Sequence, residues 1–167
     1  SEQKALQIKS ISDELFSLFS TLSLNEDSEL PMEKVYVQDF IDGTIESFKN
    51  DLALKDFTVK LHRQYIKEDR YTLLNFYYME RLFENILSNI RKYADPNCPV
   101  VIDIELDFHW CTLVINNTIS QENLTKQASG FGLLSCRKIL GIHKGKFETQ
   151  QQGKTFITTI ILPVTRI

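Results

Sequence analysis

The chain has 167 residues, enough for one well-packed domain with an appended element. Its 43% hydrophobic and 25% charged residues are typical of a soluble globular protein and exclude a disordered tail. The net charge of -3, without a basic run, provides no attraction to nucleic acid or anionic lipid, so we expect no nucleic-acid partner. No apolar stretch is long enough to span a bilayer.

The cysteines and histidines point to neither a disulfide framework nor a metal site. Cys98, Cys111 and Cys136 are odd in number and have no C-x-x-C spacing, so we expect reduced thiols in a cytosolic compartment. The three histidines are scattered, and none has a metal-ligating neighbour at a useful spacing. We interpret His62 and His109 as strand residues.

The opening of the chain predicts a helix with an apolar seam. Its 3-4-3-4 spacing is typical of a helix that packs on another helix. The seam consists of Ile8, Ile11, Leu15, Leu18 and Leu22, flanked by Phe16 and Phe19. The helix either docks on its own domain or pairs with a partner helix, and the polar, acidic segment with Pro31 that follows favours the partner. We therefore expect a helix over residues 1–24, a linker over 25–34 and a globular domain over 35–167.

The remaining periodicity predicts one mixed domain. Helices are predicted over residues 35–54, 76–94 and 133–142, and strands over 57–61, 100–106, 110–115, 146–149 and 156–162. Residues 116–128 are predicted to form a polar loop. A sheet whose helices can cover only one face makes an α+β fold, a two-layer α/β sandwich.

The strongest signal is an asparagine-bearing helix. Its inward face is predicted from the helical spacing of Phe83, Ile86, Leu87 and Ile90. Asn85, Asn89 and Lys92 lie at i, i+4 and i+7, so we expect them on one other face. Asparagine is a mediocre helix former, and two amide oxygens with an ammonium suit a cation and the phosphates that accompany it. An ordinary polar face with two neutral asparagines is the alternative.

Three further motifs are weak when taken one at a time. Ser129-Gly130-Phe131-Gly132-Leu133 leads from a loop into a helix, where glycines let backbone amides approach a phosphate, although most such pairs are turns. Asn116-Asn117-Thr118 ends an apolar strand and either lines a ligand pocket or forms a turn. Gly153-Lys154-Thr155-Phe156 is by itself only a hairpin signal.

In this order, the motifs resemble the ATP-binding domain of sensor histidine kinases, within the wider family of DNA gyrase, the heat-shock chaperone and mismatch-repair ATPases. Residues 85–93 are similar to its asparagine box, N-l-l-x-N-A-x-K-Y, with Ile90 in place of Ala. Residues 129–133 resemble the end of its second glycine box, G-t-G-L-G-L. Residues 153–163 resemble its closing G-t-x-F-x-x-x-L-P strand. The resemblance covers about residues 33–163.

The chain also departs from this family. The first glycine box, D-x-G-x-G, is absent, and Asn117 (or Asn116) stands where the family's Asp receives a hydrogen bond from the adenine amino group. An amide oxygen still accepts that bond, without the charge-assisted strength of a carboxylate. The lid loop lacks its usual phenylalanine box.

The opening helix resembles the second helix of a dimerisation hairpin whose first helix carries the phospho-accepting histidine. No histidine precedes His62, so we expect a fragment without its own phosphoacceptor.

The resemblance implies transfer of the γ-phosphoryl group of ATP to a histidine on that missing helix. The implied catalytic and metal-binding residues are Asn85 and Asn89, with Mg²⁺ as the metal. The implied nucleotide-binding residues are Asn89, Lys92, Tyr93, Asn117, Gly130, Gly132, Leu133 and Thr155. Within this set, Lys92 contacts phosphate and Tyr93 covers the adenine.

The implied partners are a response regulator and a second copy of the chain, paired through the hairpin. The implied location is the cytoplasmic portion of a membrane-anchored bacterial sensor, with membrane contact only through a missing N-terminal part. Two alternatives stay open. One is a degenerate, non-catalytic interaction domain of the same fold. The other is an anti-sigma-factor-type serine kinase, which lacks the hairpin and is disfavoured by the apolar seam.

Overall fold

The computed structural model describes residues 1–22, 30–125 and 131–166. The helices in these ranges are α1 (Glu2–Leu22), α2 (Val37–Ala53), α3 (Phe76–Tyr93) and α4 (Phe131–Ile142), with a short 3-10 helix at Gln121–Asn123. The strands are β1 (Glu33–Tyr36), β2 (Val59–Tyr65), β3 (Tyr71–Leu74), β4 (Val100–Leu106), β5 (Trp110–Thr118), β6 (Lys146–Gln152) and β7 (Thr155–Pro163).

The main sheet has five strands in the order β2-β4-β5-β7-β6, of which β2 and β4 pair in parallel and the others antiparallel. Alternate residues of β4 and β5 are buried, as the period of a half-buried strand predicts. They form one core with the apolar faces of α2, α3 and α4. The predicted α+β two-layer sandwich is confirmed.

A second, two-stranded sheet was not predicted. β1 and β3 pair antiparallel over four residues each, and β1 begins at Glu33, inside the segment expected to be a linker. The polar, exposed Glu33 and Lys34 hide the strand from a pattern-based prediction. Tyr71 of β3 exchanges backbone hydrogen bonds with Thr165, which ties this small sheet to the end of the chain.

The predicted polar loop from residue 116 begins too early. Asn116, Asn117 and Thr118 continue β5, because each is paired in register with a residue of β7. Pairing with a neighbouring strand overrides the turn preference of asparagine.

The two histidine predictions have different outcomes. His62 lies in β2, as predicted, and its Nδ1 is 3.1 Å from Oδ1 of Asp103. His109 lies in the turn between β4 and β5, so its assignment to a strand is wrong. Oδ1 of Asp107 accepts hydrogen bonds there from the backbone N–H groups of His109 (2.8 Å) and Trp110 (2.7 Å). These bonds lower the pKa of the Asp107 carboxyl.

Helix α1 packs against α4. Two residues of its apolar seam nevertheless remain open to solvent, with exposed fractions of 65% at Ile8 and 52% at Ile11, whereas Leu15 is half-buried. The helix therefore docks on its own domain with only part of the seam covered.

All three cysteines are free, in agreement with the absence of a pairing pattern. Burial raises the pKa of Cys111 and of Cys136 to about 12, so both are inert thiols.

In the described ranges, no helix has the length and apolarity needed to cross a membrane. The same residues contain no group of three or more His, Cys, Asp or Glu that could hold a metal ion.

Candidate functional site

A small cavity lies between the C-terminal half of α3 and the ends of β5 and β7. It encloses about 90 Å³. Its polar lining consists of Asn89, Tyr93, Asn117, Asn123, Gln151 and Thr158. Its apolar lining consists of Ile86, Ile90, Ile119, Leu133 and Phe156. Every described residue that lines the cavity is uncharged, so these residues offer hydrogen bonds and apolar contacts.

The most buried polar side chains of this cavity lie on two neighbouring strands. Asn117 of β5 is 6% exposed and Thr158 of β7 is 4% exposed. Asn117 pairs with Phe156, which also lines the cavity, so Asn117, Phe156 and Thr158 share the inward face of the sheet. Asn116 lies on the opposite face. The alternation therefore selects Asn117 as the asparagine that faces the cavity.

A second, larger depression lies between α3 and α1. This groove has a volume of about 600 Å³, and its α3 side includes Asn85, Ser88 and Lys92. The predicted asparagine face is therefore divided, because Asn89 lines the cavity whereas Asn85 and Lys92 line the groove. Each four-residue step on a helix turns by about 40°, so residues along one stripe can fall on the two sides of a ridge.

The first turn of α4 lies over Asn85. A Cβ atom added to Gly132 would be 3.9 Å from Oδ1 of Asn85, an ordinary contact distance. The Asn85 Nδ2 atom is buried and has no hydrogen-bond acceptor. The Cys136 thiol lies near this amide without meeting hydrogen-bond geometry; the interaction lowers the pKa of the thiol, but burial raises that pKa by more. An orphaned buried amide of this kind indicates that a polar partner is missing. The N-terminal end of α4, which carries a partial positive charge, lies beside it.

Local hydrogen bonds fix α3, which carries four of the nine candidate residues. Asn75 caps its N-terminus, because the side-chain Oδ1 accepts from the backbone N–H of Tyr78 at 3.1 Å. At the other end, the carbonyl of Tyr93 accepts from the N–H of Ser120 at 2.9 Å. Asn123 donates to the carbonyl of Lys92 at 3.2 Å. The segment after β5 is thereby attached to the end of α3, where it closes one side of the cavity.

Several predicted residues come together here and others do not. Asn89, Tyr93, Asn117 and Leu133 line the cavity. Gly132 contacts Asn85. Thr155 pairs with Thr118 at the strand ends and does not line the cavity. Gly130 lies outside the described residues, as does the adjoining part of the glycine motif.

Three polar residues of the lining were not predicted from the sequence. The position of Thr158 follows from its spacing of two residues from Phe156, which puts both on the inward face of β7. Gln151 and Asn123 carry no comparable signal, because their position depends on how β6 and the 3-10 segment fold back towards α3.

No protein-family model matches the chain. In sequence, it is 30% identical over 153 residues to the sensor histidine kinase YrkQ of Bacillus subtilis, a match that covers 92% of this chain and 34% of YrkQ. The chain therefore spans about a third of the length of that curated relative.

Solved structures have the same fold. The Acinetobacter baumannii histidine kinase AdeS superposes with a TM-score of 0.65 at 17% identity, covering 96% of this chain and 80% of that one. The catalytic domain of histidine kinase ThkA gives a TM-score of 0.60 at 18% identity, covering 83% and 100%. The chain is thus a homologue of sensor histidine kinases and has the fold of their catalytic domain.

Proposed function

From this relationship we propose that the chain is the ATP-binding catalytic part of a two-component sensor histidine kinase. The observation that carries the proposal is the convergence of Asn89 and Tyr93 from α3 with Asn117 from β5 on one cavity. Asn89 and Tyr93 were predicted from the asparagine box and Asn117 from the end of an apolar strand, so two motifs that are separate in the sequence meet here. The same site also has Lys92 and the first turn of α4 beside it.

The proposed roles follow from the chemistry of each side chain. Phosphoryl transfer requires mainly positioning and charge neutralisation. Asn117 would accept a hydrogen bond from the adenine amino group, and Tyr93 would cover the ring. Lys92 would contact phosphate oxygens. The α4 N-terminus, with Gly130 and Gly132, would let backbone N–H groups approach the phosphates.

The residues present also fit a magnesium ion held together with a nucleotide. Mg²⁺ is bound by oxygen atoms and commonly keeps several waters while sharing phosphate oxygens with the protein. Asn89 and Asn85 would supply amide oxygens to the ion, whereas the buried Nδ2 of Asn85 is a donor and would suit a phosphate oxygen as its acceptor. When bound, the ion would neutralise phosphate charge. Because two neutral amides bind a cation weakly by themselves, we expect metal and nucleotide to bind together.

The acceptor and partners are part of the same proposal. The phosphoryl group would go to a histidine on a hairpin helix supplied by another part of the kinase, and from there to a response regulator. A second copy of the chain would pair through the hairpin to which α1 belongs. The whole protein would be a membrane-anchored sensor with this domain on its cytoplasmic side.

Two assays test the proposal. Titration with a fluorescent ATP analogue should show binding that strengthens when Mg²⁺ is present. Labelled ATP and a separately supplied hairpin with an acceptor histidine should then give acid-labile phosphorylation of the hairpin. The rate should be low, since separate pieces lack the effective concentration of a tethered domain. Acid-labile label on this chain alone would contradict the assignment, because it would identify one of its own histidines as the acceptor.

A degenerate, non-catalytic domain is the second candidate. It is favoured by the cavity volume of about 90 Å³, which is below the roughly 300–1,000 Å³ usual for ligand pockets, and by the absence of a carboxylate from the described lining. Failure to bind any adenine nucleotide in the presence of Mg²⁺ would favour this candidate.

A further inference from the structure

The uncharged lining of the cavity has a consequence for base recognition. The two most buried polar groups, Asn117 and Thr158, lie on the inward face of β5 and β7 as diagonal neighbours, since Asn117 is paired with Phe156 and Thr158 with Ile115. Both carry a donor as well as an acceptor, since a carboxamide has an oxygen and an NH₂ group and a hydroxyl has one of each. No described residue of the lining carries a charge that would hold the Asn117 amide or the Thr158 hydroxyl in one orientation.

A carboxylate at the position of Asn117 would only accept hydrogen bonds. It would accept a hydrogen bond from the 6-amino group of adenine. The 6-oxo group of guanine or hypoxanthine is itself an acceptor, so neither oxygen would find a donor in the other. A carboxamide avoids this conflict. Its Oδ1 accepts from a 6-amino group, and after a half-turn of the amide its Nδ2 donates to a 6-oxo group.

We propose that this site accepts 6-oxopurine nucleoside triphosphates as well as ATP, because Asn117 can hydrogen-bond to either a 6-amino or a 6-oxo group. The proposal rests on the proposed nucleotide-binding function of the same cavity. Thr158 supports it as a neighbouring hydroxyl that can donate or accept by rotation. The substrate class is thus purine triphosphates in general, read by shape and stacking more than by the identity of the group at position 6.

The test is competition for a fluorescent ATP analogue on the whole chain with Mg²⁺, using ATP, ITP and GTP. ITP carries the 6-oxo group without the 2-amino group of GTP, so it isolates the contact at position 6. We expect the dissociation constants of ATP and ITP to agree within about tenfold, because either nucleotide finds a partner on the amide. ITP binding more than tenfold weaker than ATP would overturn the inference and leave the proposed function standing.

The matched variants are Asn117→Asp and Asn116→Asp. Asn117→Asp should retain or tighten ATP binding and weaken ITP binding by about 10- to 100-fold, the range expected when a buried acceptor faces another acceptor. Asn116→Asp should leave the ratio of ITP to ATP affinity unchanged, since Asn116 lies on the other face of the sheet.

The remaining outcomes distinguish failure of the proposed nucleotide binding from failure of the proposed role of Asn117. If neither ATP nor ITP displaces the analogue, and the analogue itself does not bind, the proposed function fails and the inference falls with it. If Asn117→Asp binds ATP but keeps the parent's ITP affinity, Asn117 does not read position 6 and the inference is wrong. If Asn117→Asp does not fold, as thermal unfolding will show, the comparison of ATP with ITP on the unmodified chain still decides.

Discussion

The backbone N–H of Asn75 donates a hydrogen bond to Nε2 of His143 at 3.0 Å, which joins the N-terminus of α3 to the C-terminus of α4. The other ring nitrogen, Nδ1, lies 2.7 Å from the carbonyl oxygen of Ile139 and must donate to it. The ring is therefore neutral, with its proton on Nδ1. Burial lowers the pKa of His143 in the folded protein.

This contact predicts that the domain loses stability in mild acid. Folding lowers the pKa of His143 below its ordinary value of 6.5, so below about pH 6.5 the unfolded chain binds a proton that the folded chain does not. The free energy of unfolding should fall with decreasing pH by up to about 1.4 kcal/mol per pH unit from this one group. The fall should end near the depressed folded pKa. Urea unfolding at a series of pH values between 7 and 5 measures the slope.

A pair of histidine variants isolates this group from the others. His143→Gln should be less stable at pH 7, because Asn75 loses its partner, but it should lose the part of the pH slope that belongs to His143. His62→Gln leaves the contact between Asn75 and His143 intact and should keep the part of the slope that belongs to His143. Equal slopes in the parent and in His143→Gln would contradict the assignment.

Asn89→Ala should remove Mg²⁺-dependent nucleotide binding. The side chain lines the cavity, and in the proposed site its amide oxygen is a metal ligand. We expect at least about a tenfold loss of affinity in the presence of Mg²⁺, which corresponds to about 1.4 kcal/mol. Isothermal titration calorimetry with and without Mg²⁺ measures it. Asn116→Ala, on the outer face of β5, is the control and should bind as the parent does. Unchanged affinity in a folded Asn89→Ala protein would show that the metal lies elsewhere.

The turn after α4 provides a prediction on stability. A Cβ atom added to Gly145 would collide with the carbonyl oxygen of Ile161 in β7, a backbone atom that cannot move aside as a flexible side chain can. Gly145→Ala should therefore destabilise the domain by about 1–3 kcal/mol, the usual cost of overpacking. The preceding Lys144 has φ +60°, a left-handed conformation that favours glycine. Lys144→Gly should stabilise the domain by about 1 kcal/mol.

Thermal or urea unfolding of both variants tests the turn. The two substitutions act on adjacent residues and are expected to have opposite signs, so a general sensitivity of the segment cannot explain both. A Gly145→Ala protein as stable as the parent would show that β7 does not approach α4 this closely.

The exposed part of the α1 seam predicts self-association. Ile8 and Ile11 remain more than half exposed although α1 docks on α4. Burying such a side chain contributes roughly 1.5–3 kcal/mol, which favours a second copy as its cover. The parent chain should sediment as a dimer at high concentration, and Ile8→Glu with Ile11→Glu should give a monomer. Nucleotide affinity should not change. A parent that stays monomeric would contradict the prediction and leave docking on α4 as the complete account of the seam.

The sequence alone determined the elements whose periodicity is long and regular. The apolar stripe of α3 and the alternation of β4 predicted both elements with bounds close to those observed. Burial of one face requires an apolar residue at every third or fourth position of a helix and at every second position of a strand. The motif order also predicted the fold class and the similarity to sensor histidine kinases. The four-residue strands β1 and β3 could not be predicted, because four residues carry too little periodicity and their pairing with each other makes them strands.

Only the tertiary structure decided which predicted residues meet. Asn85 and Asn89 are one helical turn apart, yet one lines the groove and the other the cavity, because α4 packs over α3 between these two spaces. The choice of Asn117 over Asn116 depended on the pairing of β5 with β7, since a shift of one residue reverses the face. The link between Asn75 and His143 joins residues far apart in the chain, and a local pattern carries no information about such a contact.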